Sequence, residues 1–252
     1  MEPQFGLKPS TCHWLIGAGF SIALLGCAND TGADQIEDNG NQSEMSSATP
    51  GVDPFCATRP KIEFCEDFDT ADLPGAFEEQ TSNSSTMMID ESTASSLPRS
   101  LIISVEPGGR AQLSQTFEPG GKLRLFGMLY VTELGTGDVE IASFRLGDYQ
   151  VGFGASEDGR LWAYEGDARL EGNGSLPLGR WASFRWDVNI YDDGTGTANL
   201  RFGHDIIVET DQLAPPLGAV DSPVAAVGLS STSGAWTMQF DTLTVAAGDA
   251  TQ

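Results

Sequence analysis

Between residue 55 and about residue 247, apolar residues recur at every second position in short runs separated by glycine-rich turns. Ser100–Glu106 alternates Leu101, Ile103 and Val105, and Arg110–Phe117 carries Ala111 and Leu113 ahead of Phe117. Leu123, Leu125, Leu129 and Val131 share one face of Lys122–Thr132, and Val151, Phe153 and Ala155 alternate again. A period of two sends one set of side chains to a core and the other to solvent, which is how a half-buried strand reads. Pro107-Gly108-Gly109, Pro119-Gly120-Gly121, Asp158-Gly159 and Asp193-Gly194 supply the turns. No window of about 12 residues has a clean 3.6-residue period, so helices are not expected. Roughly 12 or 13 such segments predict an all-β, antiparallel two-sheet jelly-roll sandwich, larger than an immunoglobulin-like domain. Phe184, Trp186, Trp236, Met238 and Phe240 are its core candidates.

The N-terminal residues break this pattern. Residues 15–25, LIGAGFSIALL, form an uncharged apolar run of 11. A membrane-spanning helix needs about 20 residues, whereas this length suits the apolar part of a signal peptide. The run closes on Leu24-Leu25-Gly26-Cys27, which resembles the lipobox of bacterial lipoproteins. That resemblance implies removal of residues 1–26, lipid on the Cys27 thiol, and a membrane partner reached through the anchor. Ala28 follows the cysteine, which resembles an outer-membrane rather than an inner-membrane address. Residues 28–54 hold six acids, no base and almost no large apolar side chain. They cannot bury a core, so 27–54 is expected to be an acidic disordered tether spanning about 30 Å. The domain then occupies 55–252.

Cysteine usage agrees with export. Cys12 lies in the segment to be removed and Cys27 would carry lipid, which leaves Cys56 and Cys65. An even pair in an oxidising compartment is expected to form a disulfide. A zinc site would need further ligands, and His204 is the one histidine left in the mature chain. With 13 basic residues against 36 acidic ones, the net charge is −23. Such a polyanion is repelled by nucleic acid and by anionic headgroups, so neither is an expected partner.

The C-terminal half carries an ordered set of features. Gly179-Arg180-Trp181 opens a strand through Phe184, Trp186, Asp187 and Val188, and Asp192–Gly196 turns it into Thr197–Gly203. Ile206–Val208 follows a turn at His204-Asp205. Val227-Gly228-Leu229 then precedes Trp236 and the strand Phe240–Val245, while Phe64–Asp69 reads as an opening strand. Over roughly 62–247 this order resembles the concanavalin A-like lectin/glucanase superfamily, especially laminin G-like domains. The resemblance implies the sandwich fold and a choice among sugar-binding lectins, hydrolases, lyases and adhesion modules.

Retaining glucanases of that superfamily place three carboxylates at alternate positions of one strand. The nearest match is Asp138-Val139-Glu140-Ile141-Ala142, in which Ala142 stands where the third acid should be. Asp138 and Glu140 are therefore weak catalytic candidates. Lyases of this fold use Tyr, His and Arg or Lys, but His204 falls in a turn. Loop carboxylates in laminin G-like domains often hold calcium, which makes Asp192 and Asp193 weak metal candidates; no other cofactor is expected. Trp162 and Tyr164 sit two apart in Arg160–Glu165, and Tyr149 lies across the turn Ser156–Gly159. With Arg145 and Arg160 they would form an aromatic platform for a polyhydroxylated or anionic glycan. The competing reading turns Trp162 and Tyr164 into the core. The leading expectation is non-catalytic recognition of a carbohydrate or partner protein at the cell envelope. A polysaccharide hydrolase or lyase, or a structural envelope lipoprotein, remains the alternative.

Overall fold

The computed structural model describes residues 64–69, 78–96, 98–118, 120–215 and 222–248, all within the compact unit Ser47–Gln252. The expected signal segment, the tether with Cys27, and Cys56 lie outside the described residues.

These residues form fifteen strands and no helix, in two antiparallel sheets. The first sheet holds β1 (Phe64–Glu66), β3 (Thr86–Asp90), β4 (Ser100–Val105), β6 (Lys122–Tyr130), β11 (Ala182–Ile190), β12 (Gly196–Phe202), β13 (Asp205–Leu213) and β15 (Trp236–Gly248). Its order is β13-β12-β11-β6-β15-β4-β3, with β1 also paired to β15. The second sheet holds β2 (Glu78–Ser82), β5 (Arg110–Thr116), β7 (Val139–Leu146), β8 (Tyr149–Ala155), β9 (Arg160–Glu165), β10 (Ala168–Ser175) and β14 (Val224–Ser231). Its order is β10-β9-β8-β7-β14-β5-β2. The sandwich is the one that the alternation predicts.

The alternating residues meet between the sheets. Leu101, Ile103, Leu123, Leu125 and Leu129 are buried there with Phe144, Phe184, Trp186 and Phe240. Phe153 of β8 stands 5.5 Å from Phe184 and 6.0 Å from Trp186, ring centre to ring centre, and so ties one sheet to the other. Every strand therefore has a second, outward face, and these outward faces carry the polar chemistry.

Two irregularities shape the outward face of the second sheet. A β-bulge interrupts the β7–β8 register between Glu140 and Ala142, and a second shifts β14 against β7 between Val227 and Ser230. Gly228 sits in the second with φ at 138°, and a Cβ there would lie 2.3 Å from the Ala111 carbonyl oxygen. No other residue type fits that position without moving β5.

Candidate functional site

Gln112 and Ser114 alternate with the core residues Ala111 and Leu113 on β5, so they face outward. Glu140 does the same on β7. An unbroken strand would put Ala142 beside it, but the bulge sends Ala142 into the core and brings Ser143 round instead. Gln150 on β8 and Tyr164 on β9 complete the set. Glu140 is its hub. Its Oε1 accepts from Gln112 Nε2 at 3.0 Å and from Ser143 Oγ at 3.3 Å, and its Oε2 accepts from the Tyr164 hydroxyl at 2.6 Å. Gln150 Nε2 donates to the Tyr164 oxygen at 2.6 Å and to Ser143 Oγ at 3.2 Å. Burial, and then the neighbouring Glu140 carboxylate, hold the Tyr164 hydroxyl far above its ordinary value of 10.0. Tyr164 is thus a neutral donor at every physiological pH.

The rings of this face lie over glycines. A Cβ on Gly152 would meet Tyr164 at 2.8 Å, and one on Gly154 would meet Trp162 at 2.5 Å. The Gly152-x-Gly154 spacing lets both rings lie across β8. Trp162 and Tyr164 stand 6.0 Å apart. Leu161 and Ala163 point into the core, and Trp162 and Tyr164 lie on the outward face. Trp162 is nonetheless only 8% exposed. The Arg169 guanidinium lies 4.7 Å above its ring. Arg169 is held there by ion pairs with Asp138 and Glu171 and by a 2.7 Å bond to Ser156 Oγ. Replacing Arg169 by alanine should open the Trp162 face at a stability cost of about 1 kcal/mol. Acrylamide quenching of tryptophan emission, with Trp162→Phe as reference, reads the change; unaltered quenching contradicts the cover.

Arg110 and Arg145 flank the hydrogen-bonded group and make no ion pair among the described residues. Together with Gln80, Gln112, Glu140 and Gln150 they line a depression of about 60 Å³. It adjoins an open cleft of about 810 Å³ between β2 and the β4–β5 turn, which shares Gln80 and Arg110.

Other expected residues fall elsewhere. Tyr149 belongs to the opposite face of β8 from Gln150, packs against the core, and donates to Glu165 at 2.7 Å. Alternation turns it away from Tyr164, so it is no part of a shared platform. Arg160 shares the face of Trp162 but sits at the strand's start, paired with Asp158 at 3.4 Å. Asp138 precedes β7 and holds Arg169 in an ion pair, whereas Glu140 is engaged by Gln112, Ser143 and Tyr164. Asp193 accepts from the Thr195 amide at 2.9 Å and its hydroxyl at 2.6 Å, which pulls its carboxyl below the ordinary range and shapes the β11–β12 turn. Among the described residues, no three Asp, Glu, His or Cys side chains cluster tightly enough for a metal ion, Asp192 and Asp193 included. Cys65 lies in β1, opposite Thr244. Arg110, Gln112, Ser143, Gln150 and Arg169 were not foreseen; on sequence alone they read as the solvent half of alternating strands.

No family model matches the chain, and no curated protein matches it. Solved structures do. A cellulose-induced protein, Cip1, superposes with a TM-score of 0.60 at 16% identity, over 75% of this chain and all of that one (100%). An endo-β-1,4-glucuronan lyase from the fungus Trichoderma reesei gives 0.56 at 15% identity, over 74% of this chain and 95% of the other. An alginate lyase from Aplysia kurodai gives 0.51 at 13%, over 66% and 90%. At these identities the likeness is one of fold, that of an antiparallel two-sheet sandwich.

Proposed function

We propose that this chain is a lipid-anchored glycan-binding module of the bacterial envelope. Its site is the outward face of the second sheet, and its ligand is a carboxylate-bearing polysaccharide. The observation that carries this reading is the pair Arg110 and Arg145, free of carboxylate partners among the described residues of a chain of net charge −23, on either side of a buried amide and hydroxyl group set. A guanidinium grips a carboxylate with two parallel bonds, while Gln112, Gln150 and Ser143 suit sugar hydroxyls. At physiological salt the Debye length is about 8 Å, so distant acids repel such a ligand weakly and the local arginines dominate. Two of the structural neighbours are lyases of uronate polymers by name, which supports the same ligand class. Native electrophoresis in gels containing alginate or polygalacturonate, against gels with a neutral β-glucan, tests it. The acidic gels should retard the protein, and Arg110→Ala with Arg145→Ala should reduce the retardation. Equal mobility in all three gels removes the proposal.

A second reading, β-elimination, is favoured by the Tyr164–Glu140 bond. In that chemistry a base takes the C5 proton, the C4–O4 bond breaks to leave a C4=C5 double bond, and an acid protonates the departing oxygen. Tyr164 is a neutral donor suited to the last step. Glu140, however, is already engaged by three donors, and the described histidine, His204, sits at the β12–β13 turn of the other sheet. Appearance of the ultraviolet absorbance of an unsaturated uronate, lost in Tyr164→Phe, would install the enzyme reading.

The anchor and bridge belong to the same proposal. Cys27→Ser should leave the protein unlipidated and release it from the membrane fraction. Mass spectrometry of the non-reduced mature chain should show Cys56 and Cys65 short of two hydrogens. Membrane retention of the serine variant, or two thiols that alkylate without reduction, contradicts each in turn.

A further inference from the structure

The outward face of the first sheet holds a cleft of about 620 Å³ between β6, β11, β12 and β13, remote in the fold from the group around Glu140. Lys122, Arg124, Arg185 and Arg201 line it. Four of the 13 basic residues thus gather on one patch of a chain whose net charge is −23. Arg185 and Arg201 are direct cross-strand partners, an arrangement of like charges that opposes folding. One carboxylate sits beneath them. Asp187, with a side chain 9% exposed, accepts from Arg124 Nε and from Arg185 Nε, each at 2.5 Å. Arg201 Nε donates to Asn199 Oδ1 at 2.9 Å. All three guanidinium groups are therefore held through Nε. Their terminal amino groups make no hydrogen bond among the described residues. A guanidinium fixed in this way presents a planar fork already oriented for a carboxylate.

The rest of the face selects among anions. Glu209 and Asp211 share the cleft with Asp187. Three carboxylates repel a dense phosphate polymer, but each can accept from a sugar hydroxyl. Asn189 and Thr197, bonded to each other at 2.8 Å, add donors and acceptors of the same kind. Beyond the arginines, Phe126 lies opposite Arg185 on β6. Further along, Tyr130 and Trp181 pack with ring centres 5.5 Å apart. From Lys122 to Tyr130 the outward positions of β6 run from cationic to aromatic over about 26 Å.

We propose that this face is a second binding track for a carboxylated polysaccharide, independent of the site on the other sheet. The Arg124, Arg185 and Arg201 forks take uronate carboxylates, and the Phe126–Tyr130 end takes sugar rings by stacking. With a ligand on each sheet, one domain would bridge two polysaccharide chains.

The test starts from the mature chain carrying Arg110→Ala and Arg145→Ala, so that the other face is silent. Polygalacturonate is the probe, in affinity gels and by calorimetry, and thermal melts confirm folding. Residual binding should persist in this background and fall roughly tenfold with Arg201→Gln. Arg201 does not touch Asp187, so this variant leaves the Arg124–Asp187–Arg185 group intact; Arg185→Gln should act in the same direction. Wild-type protein should cross-link polygalacturonate into larger aggregates, and either face's variant should abolish the cross-linking. Undiminished binding in Arg201→Gln and Arg185→Gln overturns the second track while leaving the first site standing. Loss on Arg201→Gln with no effect of Arg110→Ala and Arg145→Ala does the reverse. Capture of phosphatidylglycerol vesicles without capture of polygalacturonate also overturns it, in favour of a membrane contact.

Discussion

Replacing Asp241 by alanine should lower the unfolding free energy by about 3–5 kcal/mol, the largest loss expected from any single polar substitution in this domain. Asp241 lies on β15 with no solvent exposure. One oxygen accepts from the Ser95 amide at 2.8 Å and the Ser96 amide at 2.7 Å, and the other from Ser96 Oγ at 2.8 Å and Thr242 Oγ1 at 3.2 Å. Truncation leaves two backbone amides and two hydroxyls without their acceptor, and it frees the segment before β4. Each bond to a charged acceptor is worth about 1.5–3 kcal/mol, and a shared acceptor makes them less than additive. Burial pushes the carboxyl above its ordinary 3.8, while the four donors draw it back. A raised value means that the folded state holds its proton more tightly than the unfolded chain does. Against Asp241→Asn, which does not titrate, wild-type stability should therefore be highest below 3.8 and should decline as pH rises past that value. Urea titrations of the three proteins across this range provide the measurement. A loss under 1 kcal/mol for the alanine variant would mean that the segment is held by something other than this carboxylate.

The sandwich was legible because burial imposes a period of two, and Leu101, Ile103, Leu123, Leu125 and Phe153 obey it. Edge strands obey it less. Glu78–Ser82 and Ala168–Ser175 close the two ends of the second sheet, the first with polar residues on both faces and the second with Leu170 as its one large apolar residue, so no apolar alternation marks them. The rings of Trp162 and Tyr164 were visible as a pair, and their outward direction follows from Leu161 and Ala163, which alternate with them. Their accessibility was not visible, because Arg169 reaches Trp162 from the next strand. The Glu140 group was hidden by the bulge. In a regular strand Asp138, Glu140 and Ala142 share a face, and the set looks like a broken glucanase motif. One extra residue replaces Ala142 by Ser143 and turns the same glutamate towards Gln112 and Tyr164. Local sequence does not announce a bulge whose partner irregularity, at Gly228, lies about 90 residues away in the chain. Likewise, Arg124, Arg185 and Arg201 come together only through the order β12-β11-β6, which alternation along single strands does not specify.

Raising pH should destabilise this protein steeply above pH 10, and Tyr164 should be a main cause. Burial and Glu140 hold its hydroxyl above the ordinary 10.0, and burial and Glu165 do the same for Tyr149. In the unfolded chain both hydroxyls ionise near 10, whereas in the fold neither does. Stability is therefore intact below that value and falls as pH climbs beyond it, by about 1.4 kcal/mol per pH unit for each such group. Tyr164→Phe removes one group from the balance. At neutral pH it should cost about 1.5–3 kcal/mol, because Glu140 loses its shortest hydrogen bond, at 2.6 Å, and Gln150 loses an acceptor. In alkali its stability should fall less steeply than that of the parent, so the two curves converge. Glu140→Gln separates the causes. It keeps the side chain's size but removes the charge, so Tyr164 should ionise at a lower pH than in the parent while remaining buried. The double variant should cost less than the two single variants together, since both remove the same bond. Chemical denaturation at neutral pH and through the alkaline range, with tyrosinate absorbance followed in parallel, measures all of these. Parallel curves for the parent and Tyr164→Phe, or strict additivity of the two substitutions, would show that the pair at the centre of the proposed glycan face is not coupled.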